Sequence, residues 1–127
     1  KLFTNAGATA PEWATGIKVS SFTKDTSQAS GNIAYTGVGF KPTVLIFLTA
    51  RATASVCVGF GMVGANSTIY TYSGAYAYET NCLYIFQSGS DFQTAGIVSM
   101  DDDGFTLGWT KVGSPSGTMT VGYLALR

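Results

Sequence analysis

The sequence predicts an all-β protein: an antiparallel β-sandwich, jelly-roll-like, with about nine strands and an extended N-terminal arm. Three observations carry this. The 127 residues include 17 Thr, 12 Ser and 16 Gly beside eight Phe and seven Tyr, a mixture suited to pleated strands and tight turns. Short apolar or alternating segments recur at the roughly 8–12-residue spacing of sandwiches and barrels. No stretch shows the period of an amphipathic helix. A chain of this length forms one domain, here divided into an arm at 1–15 and a sandwich at 16–127.

The arm, KLFTNAGATAPEWAT, has no strand or helix periodicity. Its apolar residues Leu2, Phe3 and Trp13 stand among small ones that cannot build a core, which suits an assembly arm. Strands are expected at 17–22 and 32–38. The run TVLIFLT at 43–49 is apolar throughout, so both of its faces require cover. It is therefore a central strand, or one whose outer face a neighbouring subunit covers. Residues 53–62 alternate, with Val56, Val58 and Phe60 opposite Ser55, Cys57 and Gly59. Further strands follow at 69–72, 76–80, 82–87, 95–100, 105–110 and 118–126.

In IVSMDDDGFTLGWT, an Asp103-Gly104 turn of type I′ sets Asp102 opposite Phe105, Met100 opposite Leu107 and Val98 opposite Trp109. Ser99, Asp101, Thr106 and Thr110 then share the other side. GSPSG at 113–117 reads as the loop of a last hairpin. The expected core is Phe40, Val44, Ile46, Leu48, Val56, Val58, Phe60, Ile85, Val98, Leu107 and Trp109.

Composition excludes several functions. Seven Lys or Arg balance seven Asp or Glu, so the chain lacks the positive surface that holds nucleic acid or anionic lipid. No run approaches the ~20 apolar residues of a membrane helix, and membrane insertion is not expected. Histidine is absent, which removes the commonest general base and metal ligand. Glu12, Asp25, Glu79 and Asp91 have no flanking residues that would tune a catalytic acid, and the chain is read as non-enzymatic. Asp101, Asp102 and Asp103 are consecutive, so their side chains diverge instead of converging as a calcium loop requires. Asp103 and Gly104 are a structural turn, and neither metal nor cofactor is expected.

Cys57 and Cys82 fall in separate strands, as buried thiols or, with Cα atoms about 4.4–6.8 Å apart, as a disulfide. Tyr70 and Tyr72 share a face, Tyr76 and Tyr78 share another, and Tyr84 follows. Exposed, they would serve a sugar or a protein interface; otherwise they are strand packing. A three-residue turn at 73–75 would pair them across strands, and a Ser73-Gly74 turn would set them apart.

Two stretches resemble virion proteins of tailed phages. LFTNAGATAPEWAT is similar to the segment preceding C-terminal domains of tail fibres, although Ala6 stands where Gly usually follows Asn. Gly37-Val38-Gly39-Phe40-Lys41-Pro42, then Asp102-Asp103-Gly104-Phe105-Thr106 with Trp109-Thr110, then Tyr123-Leu124-Ala125 resemble small β-domains of phage structural proteins. The resemblance implies a virion surface protein, either capsid decoration or a fibre knob. It also implies a homotrimer in contact with major capsid or fibre proteins. The alternative is an adhesin at a tail-fibre tip that binds a host surface glycan.

Overall fold

The computed structural model describes residues 16–51 and 55–127; the expected arm with Leu2, Phe3 and Trp13 lies outside them. The described residues form ten strands and no helix. They are β1 (Ile17–Asp25), β2 (Gly31–Thr36), β3 (Val44–Arg51), β4 (Ser55–Met62), β5 (Ala65–Tyr72), β6 (Ala75–Glu79), β7 (Leu83–Ser88), β8 (Asp91–Asp101), β9 (Gly104–Val112) and β10 (Thr118–Leu126). Two antiparallel sheets result, ordered β1-β10-β3-β4-β5-β6 and β2-β9-β8-β7. The all-β sandwich expected from composition is the observed architecture.

The pairs β1–β10 and β2–β9 wrap early strands onto late ones. Inside that wrap the chain meanders, through β3-β4-β5-β6 in one sheet and β7-β8-β9 in the other. The loop at 113–117 closes no hairpin, because β9 and β10 belong to different sheets. It carries the chain across, and the Gly117 carbonyl accepts from both the backbone N–H and the hydroxyl of Thr26, at 2.9 and 2.8 Å.

The core between the sheets has two aromatic centres. Phe22, Tyr35, Phe47, Phe105 and Tyr123 form one, with Phe22 and Tyr35 centroids 4.0 Å apart. Tyr70, Tyr72, Tyr84, Phe86 and Phe92 form the other, where Tyr70 stacks flat on Tyr84 at 3.9 Å. Beside the first lies a buried polar knot. The Gln93 amide donates to the carbonyls of Thr26 and Gln28, at 2.7 and 2.8 Å. Lys24, itself buried, donates to Gln28 at 3.0 Å and sits 4.7 Å from the Trp109 ring centroid. Burial lowers the Lys24 pKa, an effect that the Asp25 carboxylate opposes.

Of the expected core, Phe40, Ile85, Leu107 and Trp109 are buried. The phase assigned to β3 and β4 is inverted. Leu45, Phe47 and Thr49, with Ser55 and Cys57, face inward, while Leu48, Val56, Val58 and Phe60 are exposed and Val44 and Ile46 half-buried. The reason is a close crossing. A Cβ added at Gly59 would lie 1.7 Å from the Cys82 carbonyl oxygen, so only small residues fit the inner side of β4.

The β8–β9 hairpin also turns one residue earlier than expected. Asp101 pairs with Gly104 and Met100 with Phe105, leaving Asp102-Asp103 as the corner. None of Asp102, Asp103 and Gly104 has positive φ, which excludes type I′. A register shift between Ile97 and Ser99 then makes Val98 the extra residue of a bulge. Ile97 takes the expected place of Val98, which is exposed. The bulge leaves the Ile97 N–H to donate to the Asn66 side chain at 3.3 Å. Gly104 is required by proximity, since an added Cβ would lie 1.8 Å from the Tyr35 carbonyl oxygen.

Candidate functional site

Each strand of the six-stranded sheet sends alternate residues inward, and the registers align what remains into rows on the outer face. One row runs Ser21, Gly122, Leu48, Val58, Ile69, Tyr78. The next runs Val19, Leu124, Ile46, Phe60, Ser67. Across the outward positions of these six strands, Asp25 at the end of β1 is the single charged residue among those described. Lys18, Lys24, Arg51 and Glu79 occupy the opposite parity.

Ten large apolar or aromatic side chains on this face are exposed: Ile17, Val19, Leu48, Val56, Val58, Phe60, Met62, Ile69, Tyr76 and Tyr78. Exposure reaches 75% at Val19 near one edge and 80% at Tyr76 near the other. Together they present on the order of 1,000 Å² of apolar surface, where a typical monomer's largest patch is about 300–600 Å². Two shallow apolar grooves mark the face. One, of about 230 Å³, lies around Gly122 between Val19, Ile46, Leu48 and Leu124. The other, of about 310 Å³, is lined by Val58, Phe60, Ile69 and Tyr78.

The five candidate tyrosines divide. Tyr72 pairs with Ala75 around a two-residue Ser73-Gly74 turn, with φ of 45° and 80°, the left-handed pair that type I′ needs. Tyr70 and Tyr84 are therefore buried and Tyr72 half-buried in the second aromatic centre. Tyr76 and Tyr78 point outward, and Tyr78 shares a 3.1 Å hydroxyl contact with Ser67.

Asp103 and Gly104 are structural. The Asp103 carboxylate accepts the N–H groups of Gly37 and Gly39 at 3.1 and 2.7 Å, and its backbone carbonyl accepts that of Val38 at 3.0 Å. Gly37 and Gly39 have φ of 93° and 89°, a region open chiefly to glycine. Two of the segments carrying the phage resemblance thus meet in one clasp, which seats Val38 and Phe40 in the core.

The other acids are engaged separately. Asp101 accepts the hydroxyls of Ser99 and Thr106, both at 2.7 Å, and Asp91 accepts the Ser114 N–H at 2.7 Å and the Ser88 hydroxyl at 2.9 Å. No group of three or more ligand-type side chains stands ready for a metal among the described residues. Melting temperature is accordingly expected to be the same with and without EDTA; a fall that Ca²⁺ reverses would contradict the divergent geometry.

These contacts set a pH dependence. The Thr106 hydroxyl, then that of Ser99, holds the Asp101 carboxyl below its usual 3.8, and the Ser114 N–H, then the Ser88 hydroxyl, does the same for Asp91. Because the folded pKa lies below the unfolded one, their contribution is present above about pH 4 and is lost as pH falls through the lowered values. Melts between pH 5 and pH 2 should show this decline, and Asp101→Asn should flatten it. An unchanged slope in that variant would assign the decline to other groups.

Cys57 and Cys82 are free and buried. The Cys57 sulfur lies 3.0 Å from the Thr68 hydroxyl, and Cys82 donates to the Ala95 carbonyl at 3.2 Å. Burial, with Cys57 nearby, pushes the Cys82 thiol up to about 12, far from a reactive thiolate. A Ser-x-x-Lys match, Ser21 to Lys24, falls within β1, where Ser21 is exposed on the outer face and Lys24 buried on the inner. They do not form a nucleophile–base pair.

No protein-family model matches the chain, and no curated protein or solved structure matches it.

Proposed function

We propose that the chain is a structural protein of a tailed-phage virion surface, non-enzymatic and acting through assembly contacts. The observation that supports this is the outer face of the six-stranded sheet, whose described outward positions carry one charged residue, Asp25. A surface of that extent and composition matches the interior of an oligomer interface, where charged residues are depleted. The phage-like segments add to the reading, since they supply the glycines and the aspartate that brace the sandwich. The resemblance implies three copies, with capsid or fibre proteins as further partners.

Gold-labelled antibody against the recombinant chain, applied to virions of the source phage, tests the reading. Regular label on heads or tails is expected; intact virions without label, and without the chain in their protein complement, would overturn it. The adhesin reading keeps two ring faces, Tyr76 and Tyr78, both on the same apolar face. Saturable binding to a glycan array that is lost in Tyr76→Ala would favour it instead.

A further inference from the structure

We propose that the occupant of the outer face is a second copy of the chain, packed sheet against sheet about a two-fold axis running close to β4. The inference rests on the assembly reading above and sets a two-fold pair in place of the three copies that the resemblance implies.

The area is sufficient. A stable interface needs about 800 Å² from each partner, and this face offers on the order of 1,000 Å² of apolar surface. With Asp25 as its one charge among the described residues, the face is unsuited to a partner chosen by charge complementarity, while a copy of itself brings the same nearly uncharged surface. Paired sheets align their strands within about 30°, which an axis near the line of β4 satisfies.

Self-complementarity along the rows selects the axis. Rotation about β4 exchanges β10 with β6 and β3 with β5, and leaves β4 opposite itself. In the first row Tyr78 of each copy then lies over Gly122 of the other, Leu48 over Ile69, and Val58 over Val58. In the second row Ile46 lies over Ser67. Tyr78 over Gly122 and Ile46 over Ser67 set large residues on small ones, while Leu48 over Ile69 and Phe60 over Phe60 set apolar side chains on each other. The groove at Gly122 is the place where a tyrosine ring enters. A Cβ at Gly122 meets no atom nearer than the Leu48 carbonyl oxygen at 3.8 Å, so a side chain there starts into the groove without displacing backbone.

The axis makes an unusual test available. Val58→Lys places two ammonium groups against each other, and Val58→Glu two carboxylates. Each variant should dissociate about a hundredfold more readily than the parent, while a one-to-one mixture should re-form mixed pairs. Light scattering of the full chain should give twice 13.3 kDa, with 13.3 kDa for each charged variant alone. Gly122→Leu should also weaken pairing, with a melting temperature equal to the parent's once both are diluted to monomer. A monomeric parent, or a mixture that stays monomeric, would overturn the proposal. A three-copy mass would overturn the two-fold pairing while leaving the assembly reading standing, and virion labelling decides that reading separately.

Discussion

Gly59→Ala is expected to cost about 3 kcal/mol or more, because the added carbon overlaps backbone that no side-chain rotation can clear. Its Cβ would lie 1.7 Å from the Cys82 carbonyl oxygen and 2.7 Å from the carbonyl carbon. That carbonyl immediately precedes β7, so relief requires the smaller sheet to move away from β4. Gly96→Ala is the control: nothing lies within 4 Å of its added carbon, and its φ is not positive. There the loss of unfolded-chain entropy should leave stability unchanged or slightly raised. Denaturant melts of both variants decide the matter. Equal midpoints would mean that the sheets do not approach as closely as β4 and Cys82 do here.

The second large effect is expected at Trp109. Trp109→Ala removes a buried ring and should cost about 3–5 kcal/mol. Beyond the cavity, it strips Lys24 of the ring face 4.7 Å away and the Tyr35 hydroxyl of an indole donor at 3.0 Å. Trp109→Phe keeps most of the packing but loses the donor, so a smaller loss of about 1 kcal/mol is expected for that hydrogen bond. A change below 1 kcal/mol for the alanine variant would place Trp109 outside the core.

Much of the fold was legible in the sequence because turn residues and β-rich composition are local signals. The Ser73-Gly74 turn shows where legibility stops. Both the two-residue and the three-residue turn fit the text, and only the observed register separates Tyr70 from Tyr76. The β4 error has a clearer physical origin. Alternation gives two faces but not their direction, and hydrophobicity alone turns the more apolar face inward. That rule fails where another backbone crosses within contact distance, because small residues must then line the inside. The consequence reached the candidate site: Val58 and Phe60, placed in the core by hydrophobicity, lie at the centre of the exposed face. A usable signal was present in TVLIFLT, whose two apolar faces exceed what one sandwich interior can cover.

The β1–β10 ladder also governs how the chain is made. Ile17 pairs with Leu126 and Asp25 with Thr118, so a strand near the start of the sandwich gains its neighbour from the end. During synthesis β1 and one side of β3 therefore stay bare until β10 has left the ribosome. Closing such distant pairs carries a chain-entropy cost that slows folding to the millisecond-to-second range. A premature stop before Thr118 would leave β1 without a partner and one edge of the apolar β3 bare, a template for adhesion to other nascent chains.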